Sequence, residues 1–102
     1  MIKPLGDEDA LREALEKHGP IGVAIAIDNG LMMYRSGIYG GKCFGPRGHA
    51  ALLVGYGYDS KLSENYWILK NQWGAGWGEK GYFRIKRGVS LCDIAGEAFY
   101  VE

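Results

Sequence analysis

Cysteine occurs twice and histidine twice in these 102 residues. Cys43, His49 and Cys92 show no CxxC or HxxxH spacing, so a zinc centre is not expected. Charge of one sign is not in excess, with 12 Lys+Arg against 12 Asp+Glu. That balance argues against a nucleic-acid binder, which depends on a large positive surface. Long apolar runs are missing too. The longest, Ile21 to Ile27, is interrupted by Gly22 and falls far short of the ~20 residues of a membrane span. The start, MIKPLGDED, has no apolar signal core, so any leader or pro-segment is expected to lie outside these residues. No strand-to-helix transition follows the glycines of residues 74–78, which removes the dinucleotide fingerprint.

Glycine is abundant, at 17 residues, more than twice the usual ~7%. It weakens helices and suits turns and bulges. With 47% hydrophobic and 24% charged residues, a single packed domain over residues 1–102 is expected. One stretch reads as a helix. Asp7 can cap it, Glu8 and Asp9 suit the positive end of its dipole, and Gly19-Pro20 stops it. Ala10, Leu11, Ala14 and Leu15 give it one apolar face. Strands are then expected at Ile21–Ile27, ending in the turn Asp28-Asn29-Gly30, and at Ala50–Tyr58, Tyr66–Asn71, Gly81–Lys86 and Ala98–Val101. No βαβ alternation occurs. The fold class is therefore α+β and mainly β: a twisted antiparallel sheet or half-open barrel of about five strands with one N-terminal helix.

The side chains that can do chemistry are few. His18 falls at the helix end, where an imidazolium suits the dipole, and reads as a surface or capping residue. His49 stands at the head of the strand GHAALLVGYG, uncrowded between Gly48 and Ala50. Downstream, Asn71 ends a strand and is followed by Trp73 and Trp77 in a loop with Gly74, Gly76 and Gly78. A packing loop whose indoles fill the core would give the same pattern. Arg84-Ile85-Lys86-Arg87 reads as a solvated strand face.

Five blocks, HGPIGVAI, YRSGIY, GHAALLVGYG, YWILKNQWGAGWGEKGYFRI and LCDIAGEAFYV, resemble, in order, the C-terminal half of papain-like cysteine proteases, the cathepsin L group in particular. The likeness covers residues 18 to 102. It implies that His49 is the imidazole that stabilises a thiolate and protonates the leaving amine. It implies that Asn71 orients that ring through its amide oxygen, Trp73 covers the His–Asn contact, and Trp77 walls the leaving-group side. Ala24, Ala50 and Glu97 match the pocket for the side chain two residues before the scissile bond. Glu97 on the pocket floor would let Arg enter as well as Phe or Leu; the alternative is a surface position on the last strand. Cys43 and Cys92 match positions the family joins as a disulfide, and an even cysteine count in a small domain fits an oxidising compartment, lysosomal, vacuolar or secreted.

Gly48 stands where the family usually has Asn or Asp, and Gln72 where it usually has Ser. The nucleophile block Cys-Gly-Ser-Cys-Trp does not occur in these residues. The expected activity is peptide-bond hydrolysis with the nucleophile on a separate N-terminal half, the isolated chain being inactive. The partners implied are that half, peptide or protein substrates and inhibitor proteins, with no cofactor, metal, nucleic acid or membrane. A non-catalytic binding or structural relative of the same domain is the alternative; it would have no need of the His–Asn geometry.

Overall fold

The computed structural model describes residues 2–3, 8–26, 32–40, 47–71, 73–88 and 98–99. Along the chain run β1 (Ile2–Lys3), α1 (Glu8–His18), β2 (Ile21–Ala26), β3 (Ile38–Tyr39), β4 (Arg47–Asp59), β5 (Glu64–Lys70), β6 (Tyr82–Lys86) and β7 (Ala98–Phe99). The strands make one open sheet in the order β1-β7-β2-β4-β5-β6-β3. The fold class is as expected, α+β and mainly β. Two differences are the two-residue strands β1 and β3, and the parallel pairing of β3 with β6 in a sheet otherwise antiparallel. Asp7, Ile27, the Asp28–Gly30 turn, Tyr100 and Val101 lie outside the described residues.

The helix ends where its sequence says. Gly19 takes a φ of 81°, which costs glycine little, and its N–H donates to the Leu15 carbonyl at 2.9 Å, closing the last turn. Leu11 and Leu15 are its buried face. Its first turn is tied to the sheet by one carboxylate: Glu8 Oε2 accepts from Trp67 Nε1 at 2.7 Å and from Gly88 N at 2.7 Å.

Side chains alternate across strands, and one face of the sheet forms the core: Ile21, Val23 and Ile25, then Ala51 and Leu53, then Trp67 and Leu69, then Phe83 and Ile85. Cross-strand pairs keep these together, among them Ile21 with Leu53, Val23 with Ala51, Leu53 with Leu69 and Leu69 with Phe83. β4 carries two bulges. Its register steps from Ile25–His49 to Ala26–Arg47, leaving Gly48 as the extra residue. It steps again from Leu53–Leu69 to Gly55–Ile68, leaving Val54 extra. The second step moves the inward face of β4 from odd to even positions, so that Tyr56 lies opposite Trp67, rings 6.0 Å apart and edge to face.

Candidate active site

The inward face turns polar at one end of the sheet. His49 pairs with the fully buried Ile25, placing the imidazole on the core face at the open end of β4. Asn71 follows β5 two residues beyond buried Leu69 and is itself only 5% exposed; its N–H donates to the Gly81 carbonyl at 2.9 Å. The two side chains meet, with His49 Nε2 2.8 Å from Asn71 Oδ1. An amide oxygen can only accept, so Nε2 holds the proton and Nδ1 is left as the basic atom. The Gly48 bulge lies directly before this histidine. Bulges re-aim the strand locally, and glycine suits one.

Two indoles stack outward from the histidine. The Trp73 ring lies 4.9 Å from the His49 ring, tilted by 48°, and Trp77 meets Trp73 edge-on at 4.9 Å. Trp73 remains 39% exposed, so it lies on the solvent side of the imidazole. Ala24 and Ala50 are direct cross-strand partners, hence on one face, opposite to that of Ile25 and His49. The structure thus brings His49, Asn71, Trp73 and Trp77 together and sets Ala24 beside Ala50. Gln72, Cys43, Cys92 and Glu97 lie outside the described residues. His18 stays in the last turn of α1, beside Lys17.

Trp77 and its loop glycines also face residues that were not singled out from sequence. Met32, Met33, Tyr34, Arg35, Gly76, Trp77 and Gly78 line an open cleft of about 540 Å³, beside the two indoles. Trp77 Nε1 donates to the Met32 carbonyl at 2.9 Å, and the buried Tyr34 packs on Trp77 at 5.5 Å. Arg84 Nε and Nη2 each donate to the Glu79 carboxylate at 2.9 Å, a bidentate pair. Arg87 stacks over Tyr56 and Trp67. Of the four residues read as a solvated strand face, Ile85 is fully buried in the core, and Arg84 and Arg87 are engaged rather than solvated. Burial pushes the Tyr34 hydroxyl up to about 12. The Arg84 hydrogen bonds, above all, hold Glu79 below its ordinary carboxylate value. Gly78, at φ 60°, has no room for a Cβ, which would lie 2.7 Å from the Tyr82 carbonyl.

An imidazole held by an amide oxygen through one nitrogen, with the other left basic, is an arrangement that acid–base chemistry can use. The sequence matches the papain family cysteine protease over residues 2–102, and the chain belongs to that family. It is 44% identical over 95 residues to bovine (Bos taurus) pro-cathepsin H, covering 89% of this chain and 28% of that protein. It is 46% identical over 101 residues to a cathepsin L-like protein of Caenorhabditis elegans, covering 95% and 30%. Among solved structures, digestive procathepsin L 3 of Tenebrio molitor superposes with a TM-score of 0.89 at 41% identity, covering 97% of this chain and 33% of that one. Bromelain from Ananas comosus, in complex with the E64 inhibitor, gives 0.88 at 40%, covering 95% and 46%. The chain thus spans less than half the length of these relatives. No helix among the described residues is long and apolar enough to cross a membrane.

Proposed function

We propose that this chain supplies the general acid–base half of a papain-like cysteine endopeptidase, with the nucleophilic cysteine contributed by an N-terminal half outside these 102 residues. The observation that carries the reading is the 2.8 Å contact of His49 Nε2 with Asn71 Oδ1 beneath Trp73. In this scheme Nδ1 takes the proton of the incoming thiol, and the thiolate attacks the scissile carbonyl carbon. The C–N bond then breaks, and the imidazolium returns its proton to the leaving amine nitrogen. A neutral orienting group suits a thiolate–imidazolium pair, because a carboxylate there would add net negative charge. Metal and cofactor have no part in the scheme.

The test is reconstitution. The chain joined to an N-terminal half carrying the nucleophile should cleave a fluorogenic dipeptide amide in reducing buffer, and the chain alone should not. No rate above background in the joined protein would overturn the reading and favour a non-catalytic relative. In the joined protein, Asn71→Ala frees the imidazole to rotate. A misplacement of about 1 Å costs up to about 10²-fold, so kcat is expected to fall by about that factor with KM little changed.

Substrate preference is proposed to follow Ala24, Ala50 and Glu97. The two alanines leave room for a bulky side chain, and Glu97 would pair with an incoming guanidinium. Arg-Arg and Phe-Arg dipeptide amides should both be cleaved. Glu97→Ala should lose activity selectively on Arg-Arg, and the Arg preference should fade as pH falls towards the glutamate reference of ~4.3. Equal loss on both substrates, or none, would remove Glu97 from the pocket. The proposed Cys43–Cys92 disulfide, worth roughly 4 kcal/mol in the chain-entropy account, fits a lysosomal, vacuolar or secreted location. Inhibitor proteins would bind the completed cleft.

A further inference from the structure

We propose that Glu79 is a positioning residue for the His49 site, holding the two indoles over the imidazole from a point remote from the chemistry. Its carboxylate joins three pieces of chain. The bidentate pair with Arg84 anchors it to β6. Its Oε2 also accepts from Gly37 N at 3.2 Å, which fixes the segment before β3. Its own backbone forms a two-way bridge with Tyr82, Glu79 N to Tyr82 O at 2.9 Å and Tyr82 N to Glu79 O at 3.1 Å, which closes the turn after Trp77.

The segment fixed through Gly37 is the one that holds Trp77. Tyr34 donates to the Gly37 carbonyl at 2.5 Å and accepts from Arg84 N at 3.3 Å. Its ring lies against Trp77, while Met32, two residues earlier, takes the Trp77 N–H. Phe83 backs the same indole at 5.4 Å. Trp77 therefore has its N–H and two ring contacts set by groups that Glu79 ties together. The far side of Trp77 carries Trp73 at 4.9 Å, and Trp73 carries His49 at 4.9 Å. A continuous set of contacts thus runs from the carboxylate to the imidazole. Glu79 and Arg84 side chains are 30% and 27% exposed, so a purely stabilising surface pair would contribute little. The extra bond to Gly37 sets this pair apart from Lys86–Glu64, which spans 3.5 Å on the same sheet and includes none of the residues that hold Trp77.

That second pair is the control. Glu79→Gln, Glu79→Asp and Glu64→Gln are made in the full-length protein and compared by near-ultraviolet circular dichroism, by the imidazole NMR signals of His49 and by kcat and KM. Glu79→Gln is expected to weaken the indole dichroism, shift the His49 signals and lower kcat by about tenfold, within what sub-ångström misplacement produces, leaving KM within about twofold. Glu79→Asp, which keeps the charge but is too short to reach both Arg84 and Gly37, should give a smaller change in the same direction; it decides the matter if Glu79→Gln does not fold. Glu64→Gln should leave every readout unchanged. The kcat readout rests on the peptidase reading above; the dichroism and NMR readouts do not, so an inactive wild type would defeat that reading alone. A lowered Tm for the Glu79 variants, with His49 signals and indole dichroism matching Glu64→Gln, would overturn the proposal.

Discussion

Replacing His49 with alanine in the joined, nucleophile-bearing protein is expected to lower kcat/KM by about 10²–10⁴-fold, the usual contribution of a positioned acid–base group. The loss should fall on kcat, because the imidazole moves protons and contributes little to ground-state binding. The thiol should also react more slowly with an alkylating reagent near neutral pH, having lost the group that takes its proton. A structural cost accompanies the chemical one. Asn71 is 5% exposed, and removing the ring takes away the 2.8 Å hydrogen bond to its Oδ1, a loss of about 0.5–1.5 kcal/mol. The double variant with Asn71→Ala should therefore be less impaired in stability than the sum of the two single ones. Steady-state kinetics and urea unfolding on the same preparations check both halves. Activity within twofold of wild type would exclude His49 as the acid–base group.

Trp67→Ala is expected to be the most damaging substitution for stability, at about 3–5 kcal/mol, a large part of the ~5–15 kcal/mol of a typical domain. Trp67 is fully buried, whereas Trp73 is 39% exposed, so the same change at Trp73 should cost much less stability and more activity. The Trp67 indole also reaches beyond apolar packing. Its N–H donates to Glu8 at the head of α1, and the Arg87 guanidinium lies over its ring at 5.4 Å. Trp67→Phe keeps most of the volume and loses the N–H; its cost should be well below that of alanine and should appear first as faster amide exchange in the opening turn of α1. If Trp67→Ala unfolds within 1 kcal/mol of wild type, the core assignment of β5 fails.

Much of this arrangement can be read from local sequence. Alternation of small and branched residues at Ile21, Val23 and Ile25 marks β2, whereas Tyr66-Trp67-Ile68-Leu69 is an unbroken apolar run in which the structure picks out Trp67 and Leu69 as the buried members. The stop at Gly19 is legible because the left-handed turn it makes suits glycine. His49, Asn71 and the indoles stand out as a motif, and their contact follows once β4 and β5 pair. What escapes a sequence reading depends on how the chain folds back to bring partners together. Ile38–Tyr39 is too short to show a period, and its strand character comes from β6. Glu79 and Arg84 lie five residues apart and meet because the turn between them folds back on itself. Arg87 looks like a solvent-facing charge until Tyr56, thirty-one positions earlier, appears beneath it.

The two bulges of β4 bear on which length changes the hairpin can absorb. Between Gly48 and Val54 lie five residues, His49 to Leu53, whose odd members face the core and whose even members, Ala50 among them, face the other way. Deleting any residue from Ala50 to Leu53 would carry His49 onto the outer face, away from Asn71, and no side-chain substitution could restore it. Beyond Val54 the bulge has already changed the phase, and the turn at Ser60–Ser63 is held locally, Asp59 accepting from Lys61 and Leu62 N–H. A residue gained or lost there would fray the tip of the hairpin and leave Leu53 opposite Leu69. Insertions and deletions in natural variants of this hairpin should therefore collect at the tip and be absent from the stretch between the bulges.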